Sequence, residues 1–544
     1  MLTPNADPST IEHGLSMPPH GPHTITTHFP GWETATRFRQ QDPAIISRMK
    51  SLYPRFAPFG FSAQLCGSIA QKIPLPEGYG CAAFLSADAL ISNRDHAISA
   101  ARNQHRLEAS DFRYYVVEIH GVRFYVAAFP LAKSAGAIYQ WQHGGLGFST
   151  RLAEALLPHA GSLVYMGEFP DAVGVPEPTY LPEGKSHVAL RERIVSLMMR
   201  ACASEHEKPV VPDDVYLYQS GMAAILRLQE AILSVRNGPV VAFGPVFHST
   251  YHLMDETKGG LKHYGRADDA SLDEFEKYLE EGGECAYVLT EFPSNPILVS
   301  VDLTRLRRIA DKHDVLLVVD DTCGSFANFD LLAAADVIIT SLTKTFSGYA
   351  DVLAGSAVLN PNSARAYSVL KPVLSSRFHN EFFEADAAKL LANNKDYLKR
   401  SAIHNHNADA IASYFYSCTE DPASPVARVW YPPYSPGSEH LKPFLRKPTP
   451  ELPMPGYGCL LSVELKDVES AASFLDNLNL FQGPHLGAHL SLAAPFVFIS
   501  YADQDPEVYG AYGLKDTQIR ISAGLEDEGV LLRRCADAVA KASG

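Results

Sequence analysis

Between residues 210 and 385, short, almost wholly apolar runs alternate with segments of helical periodicity. This rhythm constrains the fold more than any other feature of the chain. PVVAFG (239–244), CAYVLTEF (285–292), VLLVVDD (315–321), ADVIITSL (335–342) and LAGSAVLN (353–360) read as strands. SLDEFEKYLEEG (271–282) and LTRLRRIADKHD (303–314) carry apolar residues on one helical face. Strands that are apolar on both sides belong in a sheet covered on both faces, and strands separated by helices are joined in parallel. The spacing therefore predicts an α/β domain with a mostly parallel sheet.

The flanks read differently. Residues 1–30 are rich in Pro, His, Gly and Thr and suit an extended arm that is ordered only where it docks. Residues 31–160 form a separate unit. In it, YYVVEIHGVRFYVAAF (114–129) predicts a β-hairpin turning at His120-Gly121. EPTYLPEGKSH (177–187) is a connector, VALRERIVSLMMRACA (188–203) a helix, and 386–402 a long helix leading into a last α/β domain with a Pro-rich insertion at 431–456. The division expected is an N-terminal extension or domain (1–170), a large domain (171–390) and a smaller C-terminal domain (391–544).

The net charge of −15 argues against nucleic acid or an anionic membrane as partner. No apolar run has the length of a membrane span, and the N-terminus has no signal-peptide core. None of the eight cysteines lies in a CxxC pair, so no metal site is expected and a reducing compartment suits the chain. The expectation is a cytoplasmic protein.

The chemistry is carried by VVDDTCGSF and SLTKTFSGYADVLAGS. A strand ends at Asp320, and Lys344 follows twenty-four positions later, within Ser341-Leu342-Thr343-Lys344. This combination suits pyridoxal 5′-phosphate (PLP). The lysine amine forms a Schiff base with the aldehyde, and a carboxylate keeps the pyridine nitrogen protonated, so that the ring withdraws electrons. Ser341 and Thr343 offer hydroxyls to a phosphate. VYLYQSGMAAILRLQEAI reads as strand, Ser220-Gly221-Met222 turn and helix, a candidate anion cradle at a helix N-terminus.

With these residues in view, the chain resembles the fold-type I PLP enzymes of cysteine and methionine metabolism, and within them the long fungal cystathionine γ-synthases. SGMAA, EFPSNP (291–296), VVDDT (318–322), SLTKTFSGYADVLAG (341–355) and IRISAGLED (519–527) match in order over residues 175–544; PHTITTHFPGWE and SLYPRF resemble the fungal N-terminal extension. The resemblance implies that Lys344 is the catalytic base. It implies that Asp320 pairs with the pyridinium, and that Ser220, Gly221, Met222, Ser341 and Thr343 bind the phosphate. Asn295 and Arg520 would hold the substrate, with Glu291 in support. It also implies a homo-oligomer, dimer or tetramer, acting on a small-molecule amino acid.

Three departures stand out. The tyrosine that stacks on the cofactor is here Phe247, followed by His248, a possible substitute for the lost hydroxyl. The Tyr-Ser-Arg motif of relatives is met only by Tyr180, without its arginine; Arg191 and Arg193 are the nearest alternatives. Where relatives carry Ser-Leu-Gly, this chain has His485-Leu486-Gly487, and His485 and His489 are placed at the substrate entrance. The reaction expected is γ-replacement on an O-acylated homoserine with cysteine as nucleophile. The alternatives are a carbon nucleophile in fungal secondary metabolism, a PLP-dependent β- or γ-lyase, and a non-catalytic scaffold.

Overall fold

The computed structural model describes residues 7–51, 53, 57–100, 102, 105–171, 176, 180–502 and 504–543. Within SLYPRF only Ser51 and Tyr53 fall among these, and residues 177–179 of the connector lie outside them. Three sheets organise the described residues. The first joins β1 (Tyr79–Phe84), β2 (Arg113–Ile119), β3 (Val122–Pro130) and β4 (Val164–Phe169) in the order β1-β3-β2-β4, all antiparallel. The hairpin between β2 and β3 turns at His120 and Gly121, both at positive φ (48° and 79°), the geometry that a two-residue connection requires.

The second sheet has seven strands: β5 (Val215–Tyr218), β6 (Val240–Phe243), β7 (Leu261–Tyr264), β8 (Tyr287–Glu291), β9 (Leu316–Asp320), β10 (Val337–Thr340) and β11 (Gly355–Leu359). They lie in the order β5-β11-β10-β9-β8-β6-β7, and only β11 runs against its neighbours. Every residue of β5, β6, β8, β9, β10 and β11 is buried, as strands covered by helices on both faces must be. At the edge, β7 is only half-buried throughout. The alternation in the sequence is thus realised as a doubly covered, mostly parallel sheet.

The third sheet orders β12 (Val426–Trp430), β13 (Leu460–Leu465), β16 (Gln518–Ser522), β15 (Leu492–Ala494) and β14 (Phe481–Gln482). The helix expected over 386–402 is two helices, Glu384–Asn393 and the 22-residue Tyr397–Cys418, separated by a tight turn at Asn394–Asp396. The break has a use. Arg400, one turn into the second helix and buried, donates to the carbonyls of Thr345, Phe346 and Ser347, and its Nε pairs with Asp396 at 2.7 Å.

The N-terminal region behaves as two pieces. Residues 7–51 form an arm across both following domains: Ile25 N–H donates to the Ala350 carbonyl of the large domain, Phe29 N–H to the Gln482 carbonyl of the C-terminal domain, and Trp32 stacks on Phe498 there. Residues 61–169, with the first sheet, join the core of the large domain. Phe84, Val116, Phe124 and Trp141 share one apolar cluster with Met222, Ala223, Ile225 and Leu228 of the helix Gly221–Leu233. That helix is buried at ten of its thirteen positions, because the sheet covers one side and the N-terminal unit the other.

Candidate active site

The site forms at the carboxyl ends of the parallel strands, where open α/β sheets leave a crevice. Asp320 ends β9, paired with Glu291 of β8 and Ile339 of β10. It is 8% exposed and accepts the Thr322 N–H at 2.9 Å. Burial raises its pKa, and no cation among the described residues pairs with it. Thr322 in turn accepts the Ser341 N–H at 2.8 Å, which fixes the start of the Lys344 loop against β9. That loop closes with the Gly348 N–H donating to the Lys344 carbonyl at 2.8 Å.

Ser220 is the N-cap of the helix Gly221–Leu233; its Oγ accepts the Ala223 N–H at 3.0 Å. A Cβ on Gly221 would come 2.7 Å from that of Ser341, so the absence of a side chain there lets the helix start approach the lysine loop. Ser220, Gly221, Met222 and Ser341 therefore meet in one place. Thr343 is turned differently. It is fully buried, and its hydroxyl donates to the Ala354 carbonyl at 3.1 Å and accepts the Ala354 N–H at 3.0 Å. These two bonds brace the lysine loop against the backbone leading into β11.

The substrate end is assembled from distant segments. Arg520 lies on β16, 3% exposed, over the Phe496 ring at 3.8 Å. One guanidinium nitrogen donates to Asn295 Oδ1 at 2.9 Å; the other donates to the carbonyls of Pro484 and His485. Burial lowers its pKa to about 10, so it stays a cation at neutral pH. Glu291 accepts the N–H groups of Phe247 and, at 2.9 Å, Asn295. It thus holds both loops and touches the substrate end only through them. Burial first and the Asp320 charge second push its pKa up to about 8. Phe247 packs against the cluster of Phe496, Val497 and Tyr501 beside Arg520.

Lys344 Nζ lies 3.2 Å from His485 Nδ1 and 5.1 Å from the centroid of the Tyr53 ring. Burial, then the Lys344 and Arg520 charges, drives the His485 pKa well below its usual value, so the imidazole is neutral. His489 is not at an entrance: it is 5% exposed, and its Nε2 meets the Pro18 carbonyl of the arm at 2.8 Å. Tyr180 stacks on His379 at 4.3 Å and is 45% exposed, away from the lysine. Arg191 pairs with Glu183, and Arg193 donates to Asn394 Oδ1 at 2.8 Å. His248 opens the helix His248–Asp255, with its Nε2 3.0 Å from that of His252.

Sequence reasoning passed over Tyr53, Arg400 and Gly145. Tyr53 had a signal: SLYPRF carries the Tyr-x-Arg spacing sought at Tyr180, far upstream of the large domain. The residues present fit PLP. Asp320 is a buried carboxylate that needs a cation, the Ser220–Met222 turn makes a helix-N-terminal cradle, and the Lys344 amine lies beside His485, whose carbonyl accepts from Arg520.

Residues 211–539 match the Cys/Met metabolism PLP-dependent enzyme family. The chain belongs to that family. This PLP enzyme is 37% identical over 428 residues to the alanine racemase ungC of Aspergillus violaceofuscus, covering 75% of this chain and 72% of the relative. It is 31% identical over 552 residues to the cystathionine gamma-synthase-like protein ankD of Aspergillus thermomutatus, covering 96% and 93%. It is 34% identical over 345 residues to the cystathionine gamma-synthase of Neurospora crassa, covering 62% and 53%. A solved structure of cystathionine gamma synthase from Xanthomonas oryzae pv. oryzae, in complex with aminoacrylate and cysteine, superposes with a TM-score of 0.54 at 24% identity, covering 66% of this chain and 86% of that one. The fold is fold-type I. Among the described residues no helix is long and apolar enough to cross a membrane.

Proposed function

We propose that this PLP enzyme catalyses γ-replacement on an O-acylated homoserine, with cysteine as nucleophile. The observation that carries the reading is the Lys344–His485 pair, 3.2 Å apart, facing the Arg520–Asn295 fork. Bound PLP would supply the electron sink that acidifies the substrate α- and β-C–H bonds. The rest is done by the chain. Arg520 binds the α-carboxylate through its planar fork, and Asn295 fixes the orientation of that fork. Lys344 takes the α-proton and carries protons along the side it faces. Phe247 has no hydroxyl, so the acid–base groups that remain gather around Lys344. An acyl group leaves as a carboxylate and needs no proton, which suits such a site. His485, neutral and in contact with Lys344, accepts the lysine N–H at Nδ1 and so orients that amine, and the cysteine adds as its thiolate.

The test is mass spectrometry of products from the PLP-loaded enzyme given O-acetyl-homoserine with L-cysteine, with a β-keto ester, and with neither. Cystathionine in the first tube alone supports the reading. A carbon adduct in the second without cystathionine in the first replaces cysteine by a carbon nucleophile. A second reading, racemisation of a small amino acid, is favoured by the 37% identity to an alanine racemase. L-Alanine in deuterated water separates the two: deuterated D-alanine with no γ-product would establish racemisation instead.

A further inference from the structure

The N-terminal unit reaches the start of the cradle helix. Gly145 sits on the loop between Gln142 and the helix Thr150–Leu156, anchored by Trp141 and Leu146, which are 1% and 0% exposed. Its carbonyl accepts the Ser220 hydroxyl proton at 3.0 Å. It has φ +66°, and a Cβ placed on it would come 2.2 Å from Ser220 Oγ, 3.0 Å from Met222 Cβ and 3.1 Å from Ala223 N. Only glycine allows both this backbone conformation and this approach.

The consequence lies in which way the Ser220 hydroxyl points. With its proton committed to Gly145, the oxygen turns a lone pair to the Ala223 N–H, the third amide of the helix. The amides of Gly221 and Met222, ahead of it, are then the ones aimed at an anion.

We propose that the Gly144–Gly147 loop of the N-terminal unit is a wall of the cofactor's phosphate cradle, with Gly145 positioning Ser220. The proposal rests on the reading of Ser220–Met222 as that cradle. It gives the extension a part in cofactor selection, in a family whose resemblance places the phosphate site within the large domain and a partner's arm.

The test compares binding of PLP with that of pyridoxal, which has the same ring and aldehyde but no phosphate, to the full-length apoenzyme. Binding is followed by the absorbance of the lysine-linked cofactor. Gly145→Ala is expected to weaken PLP about tenfold, the size of one lost charge-assisted hydrogen bond, and to leave pyridoxal unchanged. The loss should shrink when Gly145→Ala is added to Ser220→Ala, because the two act as a unit. Equal loss of both ligands, or full additivity in the double variant, overturns the proposal. Where Gly145→Ala alone does not fold, Ser220→Ala removes the atom 2.2 Å away; a double variant that folds supports the contact, and one that does not overturns it. Gly221→Ala separates the two levels: if it too leaves the preference for PLP over pyridoxal intact, the cradle reading itself fails.

Discussion

The two ends of the active site are built in opposite ways. The cofactor end comes from short stretches of the large domain: a strand ending in Asp320, a loop holding Lys344, and a strand–turn–helix at Ser220–Met222. The substrate end brings together Tyr53, just past the arm, with His485 of a C-terminal loop and Arg520 on β16, both hundreds of residues from Tyr53. The first end is a set of local geometries that neighbouring residues enforce. The second exists only once three parts of the chain have packed. Damage at the first should therefore cost the cofactor, and damage at the second should cost the substrate while the cofactor stays.

The sharpest break is Lys344→Ala. Turnover should fall by roughly 10²–10⁴-fold from lost proton transfer alone. The absorbance of the lysine-linked cofactor should vanish while far-UV circular dichroism is unchanged. Retained turnover would remove Lys344 from the mechanism.

Arg520→Lys probes the other end. A point charge on a shorter reach replaces a fork that also bonds Asn295, and kcat/KM should drop by about 10²-fold. The cofactor spectrum should be that of the parent. A lost cofactor with unchanged kcat/KM per bound site would merge the two ends into one.

His485→Ser restores the residue seen in relatives. The lysine loses one hydrogen-bond partner, and kcat should fall by about tenfold with little change in KM for the amino acid. A change confined to KM would move His485 from proton handling to substrate fit.

The smallest effect belongs to the apoenzyme. Glu291, at about 8, and Asp320 both have raised pKa values, chiefly from burial. An unfolded chain releases these protons near the ordinary carboxylate range, whereas the folded chain keeps them. Stability is thus full at acid pH and is lost as pH rises toward 8, because the unfolded state binds fewer protons. Glu291→Gln should flatten the fall of the thermal midpoint between pH 5 and 8, both pH values being approximate bounds of that window (~5 and ~8). An equally steep fall in the variant would assign the slope to other groups.

Much of the cofactor end was legible from residues alone. Asp320 and Lys344 could be singled out because a strand end and a Ser/Thr-rich lysine loop are local signals, and the family blocks placed Arg520 and Asn295. The contact of the Thr343 hydroxyl with the Ala354 backbone has no signal in the sequence, because eleven residues separate the two. The Tyr-x-Arg spacing at Tyr53 went unread because the motif was sought at Tyr180, and nearness in sequence to the large domain says nothing of a segment that folds back onto the lysine. His489 was given to the entrance because of its neighbour His485, but the next turn of the loop buries it against Pro18.

The sequence by itself determined the mostly parallel sheet and the chemistry at its edge. Apolar runs of strand length separated by amphipathic helices have few other ways to bury themselves, and a lysine, a carboxylate and a glycine-opened helix are short-range features. Only the tertiary structure decided that the arm runs to about residue 51 rather than 30, where the arm docks, that the following unit fuses to the cradle helix, and that Tyr53, His485 and Gly145 close on the site. Those contacts depend on the packing of surfaces far apart in the chain, and no spacing along the sequence encodes where such surfaces meet.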